Sequence, residues 1–277
     1  MISPTYDAIS LAIMWDRLIS VTDEIVSTLV RTSFSTIVRE SYDLSVVLLD
    51  AEGNLMAQGS FSVPVFIGTA PRTLRYMLEK FPSETLKPGD VIATNDPWMG
   101  TGHIFDISVM RPVFRGEQLI GYTMSITHLP DIGGLGFGAA ATEVFHEGLR
   151  LPICKLASEG TLDQFILELV ETNVRVPDQT IGDLLANVTC NEVGGRQLLE
   201  FMDEYELNDL APYPVLFAAN PKERCAIKLL KWPMAPTCTR SRLRASRGQA
   251  HWHAWSMLRT SRSMRISEAP ADAFAME

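Results

Sequence analysis

"TNDPWMGTGHIFDISVM", residues 94–110, sets Asn95, Asp96, His103 and Asp106 among glycines, a proline and a tryptophan. Directly after them the chain becomes strand-like, "DISVMRPVF". A second such run, "LIGYTMSITHL", follows Arg115-Gly116-Glu117, a short Gly-containing connection of the kind that joins two antiparallel strands. The hairpin expected over residues 106–129 begins at one His-x-x-Asp pair, His103 and Asp106. It ends at another, His128 and Asp131, 25 residues on. Closing the hairpin brings both pairs to one end of the sheet. Residues i and i+3 face opposite sides of a regular strand, so each pair must lie on a turn or strand end, as the glycines allow.

Imidazole and carboxylate are ligands for Zn²⁺, Mn²⁺ or Fe²⁺, and two His with one Asp leave coordination positions open for water or substrate. A lone His-x-x-Asp is more often a hydrogen-bonded structural pair; two copies framing one hairpin make the metal reading competitive. Asp96, between Asn95 and Pro97, reads on its own as an Asx-turn.

Outward from the hairpin the pattern alternates. Leu11, Trp15, Leu18, Ile25 and Leu29 recur at helical spacing in residues 8–31, a long amphipathic helix with Pro4 upstream of its start. "LSVVLLDAEGNLMAQ" (44–58) reads as strand, turn, strand. "TAPRTLRYMLEKF" (69–81) is a second helix, stopped by Pro82, and Val91–Thr94 a short buried strand. The glycine-rich 130–143 must be loop; its Gly133–Gly138 run fits neither GxGxxG nor a Walker loop, so no nucleotide site is visible. Residues 163–174 and 180–207 are helical. The latter carries an apolar stripe of Ile181, Leu184, Leu185, Val188, Val193, Leu198, Leu199 and Met202, with Gly194-Gly195 marking a kink or a close packing point. The expected fold is α+β (mixed α/β), a central sheet flanked by long helices.

Composition bounds the function. The 277 residues have a formal charge of −9, which argues against nucleic acid as a partner. No run reaches the ~18 apolar residues of a membrane span, and no signal peptide is apparent, so the expected location is cytoplasmic. Cys154, Cys190, Cys225 and Cys238 are widely spaced and read as reduced thiols. Of the 24 Lys/Arg and 33 Asp/Glu, residues 211–277 hold 11 and 4, leaving 13 and 29 in residues 1–210. That basic, Ser- and Ala-rich end has no sustained periodicity. Three readings stay open for it: a basic tail for nucleic acid or an acidic partner, a disordered extension, or sequence from a slipped reading frame.

The motifs have a familiar order. "GDVIATNDPWMGTGHIFDISVMRPVF", "RTSFSTIVRESYDLSVVLLDAEGNLMAQ", "THLPDIGG", "TEVFHEGLRLPICKL" and "NVRVPDQTIGDLLANVTCNEVGGRQLLE" together resemble the hydantoinase B/oxoprolinase family over residues 10–207. The resemblance implies an ATP-dependent hydrolase of cyclic amides such as 5-oxoproline or a hydantoin. A hydantoinase A-type partner subunit would use the ATP, and this B-type chain would hold a divalent metal (Mn, Zn or Fe). Position by position it implies metal ligands at His103, Asp106 and His128, with Asp131 and Asp96 as catalytic or supporting carboxylates. The alpha subunits of acetone and acetophenone carboxylases are similar, so a carboxylase is the alternative; an inactive, truncated remnant or binding chain is another. Phe66 stands where many relatives have His, and His146 where they have another residue, so neither enters the site. The resemblance stops near residue 210, where the charge switches, and family members run to about twice this length. That coincidence favours the slipped frame and the expectation of two segments, 1–210 and 211–277.

Overall fold

The expected hairpin is the centre of the structure, a computed structural model that describes residues 8–210. The expectations for Pro4, for the segment 211–277 and for its Cys225 and Cys238 lie outside the described residues. Strand β4 (Asp106–Arg115) and strand β5 (Gln118–His128) pair antiparallel, with Gly116 in the left-handed region (φ 61°) at the turn. Their far ends carry the pair Asp106↔His128.

Five more strands extend this ribbon: β1 (Leu44–Asp50), β2 (Leu55–Gln58), β3 (Val91–Thr94), β6 (Cys154–Ser158) and β7 (Thr161–Leu162). The sheet order is β2-β1-β5-β4-β3-β6-β7, every pairing antiparallel. The β1–β2 turn is closed by Asp50, whose carboxylate accepts from the Asn54 backbone at 2.7 Å. At the other edge Asp90 has no exposed surface. It binds Lys155 Nζ at 2.7 Å and accepts from the Lys87 and Glu159 backbone N–H groups, tying β3 to β6.

Helices cover both faces. On one lie α1 (Ala8–Thr32) and α6 (Pro177–Glu204), packed on Leu44, Val46 and Leu48, and α5 (Gln164–Asn173) near Ile107 and Val109. Leu18, Val21, Ile25 and Leu29 of α1 are fully buried, each contributing roughly 1.5–3 kcal/mol by leaving water. The opposite face carries α3 (Pro64–Lys80), with Phe66, Leu74 and Met77 against Val47, Tyr122 and Met124. Two four-residue helices, α2 (Thr36–Arg39) and α4 (Val144–Glu147), complete the set. No helix among the described residues is long and apolar enough to cross a membrane.

Helix α3 begins five residues earlier than its sequence suggests. Pro64 occupies the first turn, where a missing N–H costs nothing, and Pro71 sits inside the helix. Gly194 and Gly195 do not break α6. A Cβ at Gly194 would lie 2.5 Å from Ile25 of α1, so the pair marks a close approach of α6 to α1 and the sheet.

The buried face of α6 differs from the expected stripe. Leu184, Leu198 and Met202 are buried as expected, whereas Ile181, Leu185, Val188, Val193 and Leu199 are only partly so. Asp183, Asn187 and Asn191, one turn apart, are fully buried. Asn187 Nδ2 donates to Thr127 Oγ1 at 2.8 Å, and Asn191 Nδ2 donates to Ser125 Oγ at 2.7 Å and Val109 O at 3.1 Å. Asp183 accepts from the backbone N–H groups of Phe34 and Ser35, which open α2. Alternation along β5 turns Thr123, Ser125 and Thr127 toward this helix, where they pair with its amides, although Asn187 Oδ1, Asn191 Oδ1 and Asp183 Oδ2 are buried with no hydrogen-bond partner.

Candidate metal centre

The loop between β3 and β4 is held in shape by Asn95. Its Nδ2 donates to Ile104 O and Leu149 O, and its Oδ1 accepts from Leu151 N at 2.6 Å. Asp96 forms the expected Asx-turn, accepting from Trp98 N at 3.0 Å. Gly102, at φ 109°, then permits the bend that presents His103 beside the start of β4.

Three side chains converge there. His103 Nε2 lies 2.7 Å from Asp106 Oδ2, and His128 Nδ1 lies 3.1 Å from Asp106 Oδ1. One ligand atom from each of the three falls within 4.8 Å of the others. Asp106 and His128 are buried and His103 is half-exposed, so the group opens to solvent on the His103 side. The Thr101 hydroxyl also donates to Asp106 Oδ2. Burial works against the Asp106 anion, but hydrogen bonds from His103 and His128 outweigh it and hold the carboxyl down at about 2. Burial depresses His103, yet the bond to Asp106 raises it above the usual imidazole value.

A fourth group joins them that sequence spacing does not reveal. Asp43 precedes β1, and its carboxylate lies 3.9 Å from His128 Nδ1. The His128 backbone N–H donates to Asp43 O at 3.1 Å. Tyr42, in the left-handed region at φ 52°, makes the turn that directs Asp43 here, a conformation that costs a non-glycine residue about 1 kcal/mol or more. Burial raises the Asp43 carboxyl, and the neighbouring Asp106 adds to the rise against the pull of His128.

The other sequence candidates sit apart from this trio. Both Asp131 oxygens are engaged: Oδ1 by Arg175 Nη1 at 2.9 Å and Gly133 N at 3.0 Å, Oδ2 by the Arg175 backbone. Asp96 faces Arg150 and borders a cleft with Lys80, Met99 and Ile153. His146 is half-exposed against Glu143, and Phe66 is buried on the sheet-facing side of α3. Cys154 and Cys190 are free thiols pushed up by burial to about 11 and about 12, far from a reactive thiolate. The first two glycines after Asp131 serve packing: a Cβ at Gly133 would lie 2.5 Å from Asn173 O, and one at Gly134 2.3 Å from His146 O.

The donor set of two imidazoles and a carboxylate suits Zn²⁺, Mn²⁺ or Fe²⁺. His128 Nε2 is buried with no hydrogen-bond partner, a costly state that a bound cation near the ring would relieve. A sequence model of hydantoinase B/oxoprolinase matches residues 7–269, past the point where the motifs give out.

The chain belongs to the hydantoinase B/oxoprolinase family.

Among members of the family, caprolactamase subunit beta of Pseudomonas jessenii is 33% identical over 209 residues, covering 74% of this chain and 36% of that protein. The crystal structure of ATP-dependent caprolactamase from the same organism gives a TM-score of 0.66 at 31% identity, over 82% of this chain and 37% of that one. Nucleotide-free acetone carboxylase gives 0.64 at 22% identity, over 73% and 27%, a likeness of fold. The chain spans about a third of the length of the first curated relatives it matches.

Proposed function

We propose that this chain forms the metal-holding part of a B-type subunit that opens a small cyclic amide, with ATP used by a hydantoinase A-type partner in the cytoplasm. The observation that carries the reading is the convergence of His103, Asp106 and His128 at the mouth of one hairpin, in a family whose named members include a caprolactamase. A divalent ion held by these three side chains would polarise the amide carbonyl and make water a better nucleophile near neutral pH.

The remaining chemistry belongs to the chain. Asp106, bonded to both imidazoles, fixes their rings relative to each other. Asp43 is the nearest further carboxylate and suits proton transfer, since burial raises its carboxyl above the usual carboxylate value and it is partly open to solvent. The expected catalytic Asp131 is better suited to holding its loop, because Arg175 and Gly133 already occupy both its oxygens. Asp96 is likewise committed to its turn. An ATP-using partner accords with Gly133 and Gly134 packing backbone on backbone rather than cradling phosphate.

Metal analysis of the purified chain tests the reading. Stoichiometric Zn, Mn or Fe is expected, lost in His103→Ala and His128→Ala with circular dichroism unchanged. Metal-free protein of intact fold after reconstitution with all three ions would overturn it.

A further inference from the structure

His128 is held by rings as well as by hydrogen bonds. Phe105 is buried and lies flat against it, 5.2 Å away at 6°. Phe137, 74% exposed, stands across both, 5.0 Å from His128 at 82° and 5.6 Å from Phe105 at 76°. Three such similar separations make a near-equilateral triangle of ring centres. Phe137 therefore bears on the stacked pair from the side rather than on one outer face. His103 adds a tilted contact with His128, 5.1 Å away at 42°.

The place of Phe137 is set by its loop, since burial does little to hold a ring so exposed. Arg175 Nη1 binds Asp131 at 2.9 Å and Gly133 O at 3.3 Å, and its Nη2 reaches Gly134 O. Leu135 N donates to His146 O at 2.8 Å, and Gly136 N to Gly133 O at 3.3 Å. Gly136, at φ 85°, then turns the chain into Phe137. Asp131, expected in the site itself, thus acts on it through this loop.

The 3.1 Å contact between His128 Nδ1 and Asp106 Oδ1 fixes one atom of the imidazole but leaves the ring free to swing about that bond. A swing would lift the ring off Phe105 and disturb its edge-on contact with Phe137. Stacked and edge-on pairs are the arrangements aromatic rings favour, and both are present here.

We propose that Phe137, bearing on the stacked Phe105 and His128 rings, is a positioning residue of the metal centre that sets the plane of the His128 imidazole before a cation binds. The inference rests on reading the trio as a metal site. An unbraced ring has to be ordered as the ion arrives, which costs about two- to ten-fold in affinity per immobilised side chain.

The test titrates the full chain with Co²⁺, a divalent ion that accepts imidazole and carboxylate ligands and whose visible bands report its coordination. Phe137→Ala is expected to bind it about five-fold more weakly than wild type, with shifted bands. The metal-free variant should melt at the wild-type temperature, because the ring it loses is mostly in water. Phe137→Tyr restores a ring and should return to within about two-fold of wild type, whereas Phe137→Leu restores only bulk and should not. Wild-type affinity and bands in Phe137→Ala, or full recovery in Phe137→Leu, overturn this inference and leave the trio standing. Wild type that binds no Co²⁺ overturns the reading of the trio and this inference with it.

Discussion

Replacing Asn191 by Asp changes one NH₂ group into an oxygen and leaves the shape of the side chain intact. In the fold that NH₂ donates to three acceptors, Val109 O, Ser125 Oγ and Asn187 O, in a place with no exposed surface. Its two hydrogens are shared among the three acceptors, so the substitution removes about two hydrogen bonds, each contributing about 1 kcal/mol net. At neutral pH it also points a carboxylate at oxygens, and an uncompensated buried charge costs about 3–5 kcal/mol. The terms overlap, so the expected loss at pH 7 is about 4–5 kcal/mol. With a urea m-value of about 2 kcal/mol/M, the midpoint falls by about 2 M. The pH dependence has a definite sign. The introduced carboxyl is raised in the folded state above its unfolded value of about 3.9, so the penalty is smallest below that value. It grows as pH rises and levels off above the folded-state pKa. Urea melts of wild type and Asn191→Asp at pH 4 and pH 7 measure this directly. A loss under about 1 kcal/mol at pH 7, or a penalty equal at both pH values, refutes the claim that this amide ties α6 to the hairpin.

Other expectations follow from single contacts. Gly148→Ala forces a side chain into φ 125° with its Cβ 2.1 Å from Ile132 O; thermal unfolding should show a loss of about 3 kcal/mol or more, against little change for Gly138→Ala. Burial disfavours the Asp90 anion, but Lys155 and two backbone N–H groups outweigh it and lower its pKa. Its stabilisation is therefore complete above the unfolded value of about 3.9 and lost as pH falls through the lower folded value. Asp90→Asn should flatten that acid slope in pH-dependent melts; an unchanged slope counts against the Lys155 pair. Metal at 100 times its dissociation constant should stabilise the wild type by about 2.7 kcal/mol in a thermal shift assay, and His128→Ala by almost nothing.

The hairpin and the grouping of His103, Asp106 and His128 were legible because these residues lie within one short segment, whereas Asp131, expected beside them, is taken up by Arg175 and Gly133. The 3.6-residue pattern of α1 was equally clear, since Leu18, Ile25 and Leu29 meet an apolar neighbour. On α6 the same reasoning chose Ile181, Val188 and Val193, which are only half-buried, because the helix faces hydroxyls of β5 rather than hydrocarbon. The signal was present in "GYTMSITH", where Thr123, Ser125 and Thr127 alternate with apolar residues, but alternation alone does not say whether water or a helix covers the polar side. Asp43 was invisible for another reason. Its approach to His128 depends on β1 lying beside β5, a pairing of residues 71–83 positions apart that no local spacing encodes. The early start of α3 went unread because Pro71 resembles a helix start more closely than the helix interior it occupies.

The pairing of Asp106 with His128 would make a metal held by the trio a sensor of strand alignment. Slippage of β5 by one residue would rotate His128 to the α6 side and carry Thr127 into its place, destroying the donor set while preserving most backbone hydrogen bonds. A cation that binds only the correctly aligned ribbon would then act during folding as a proofreading ligand, drawing misaligned chains back toward the native pairing.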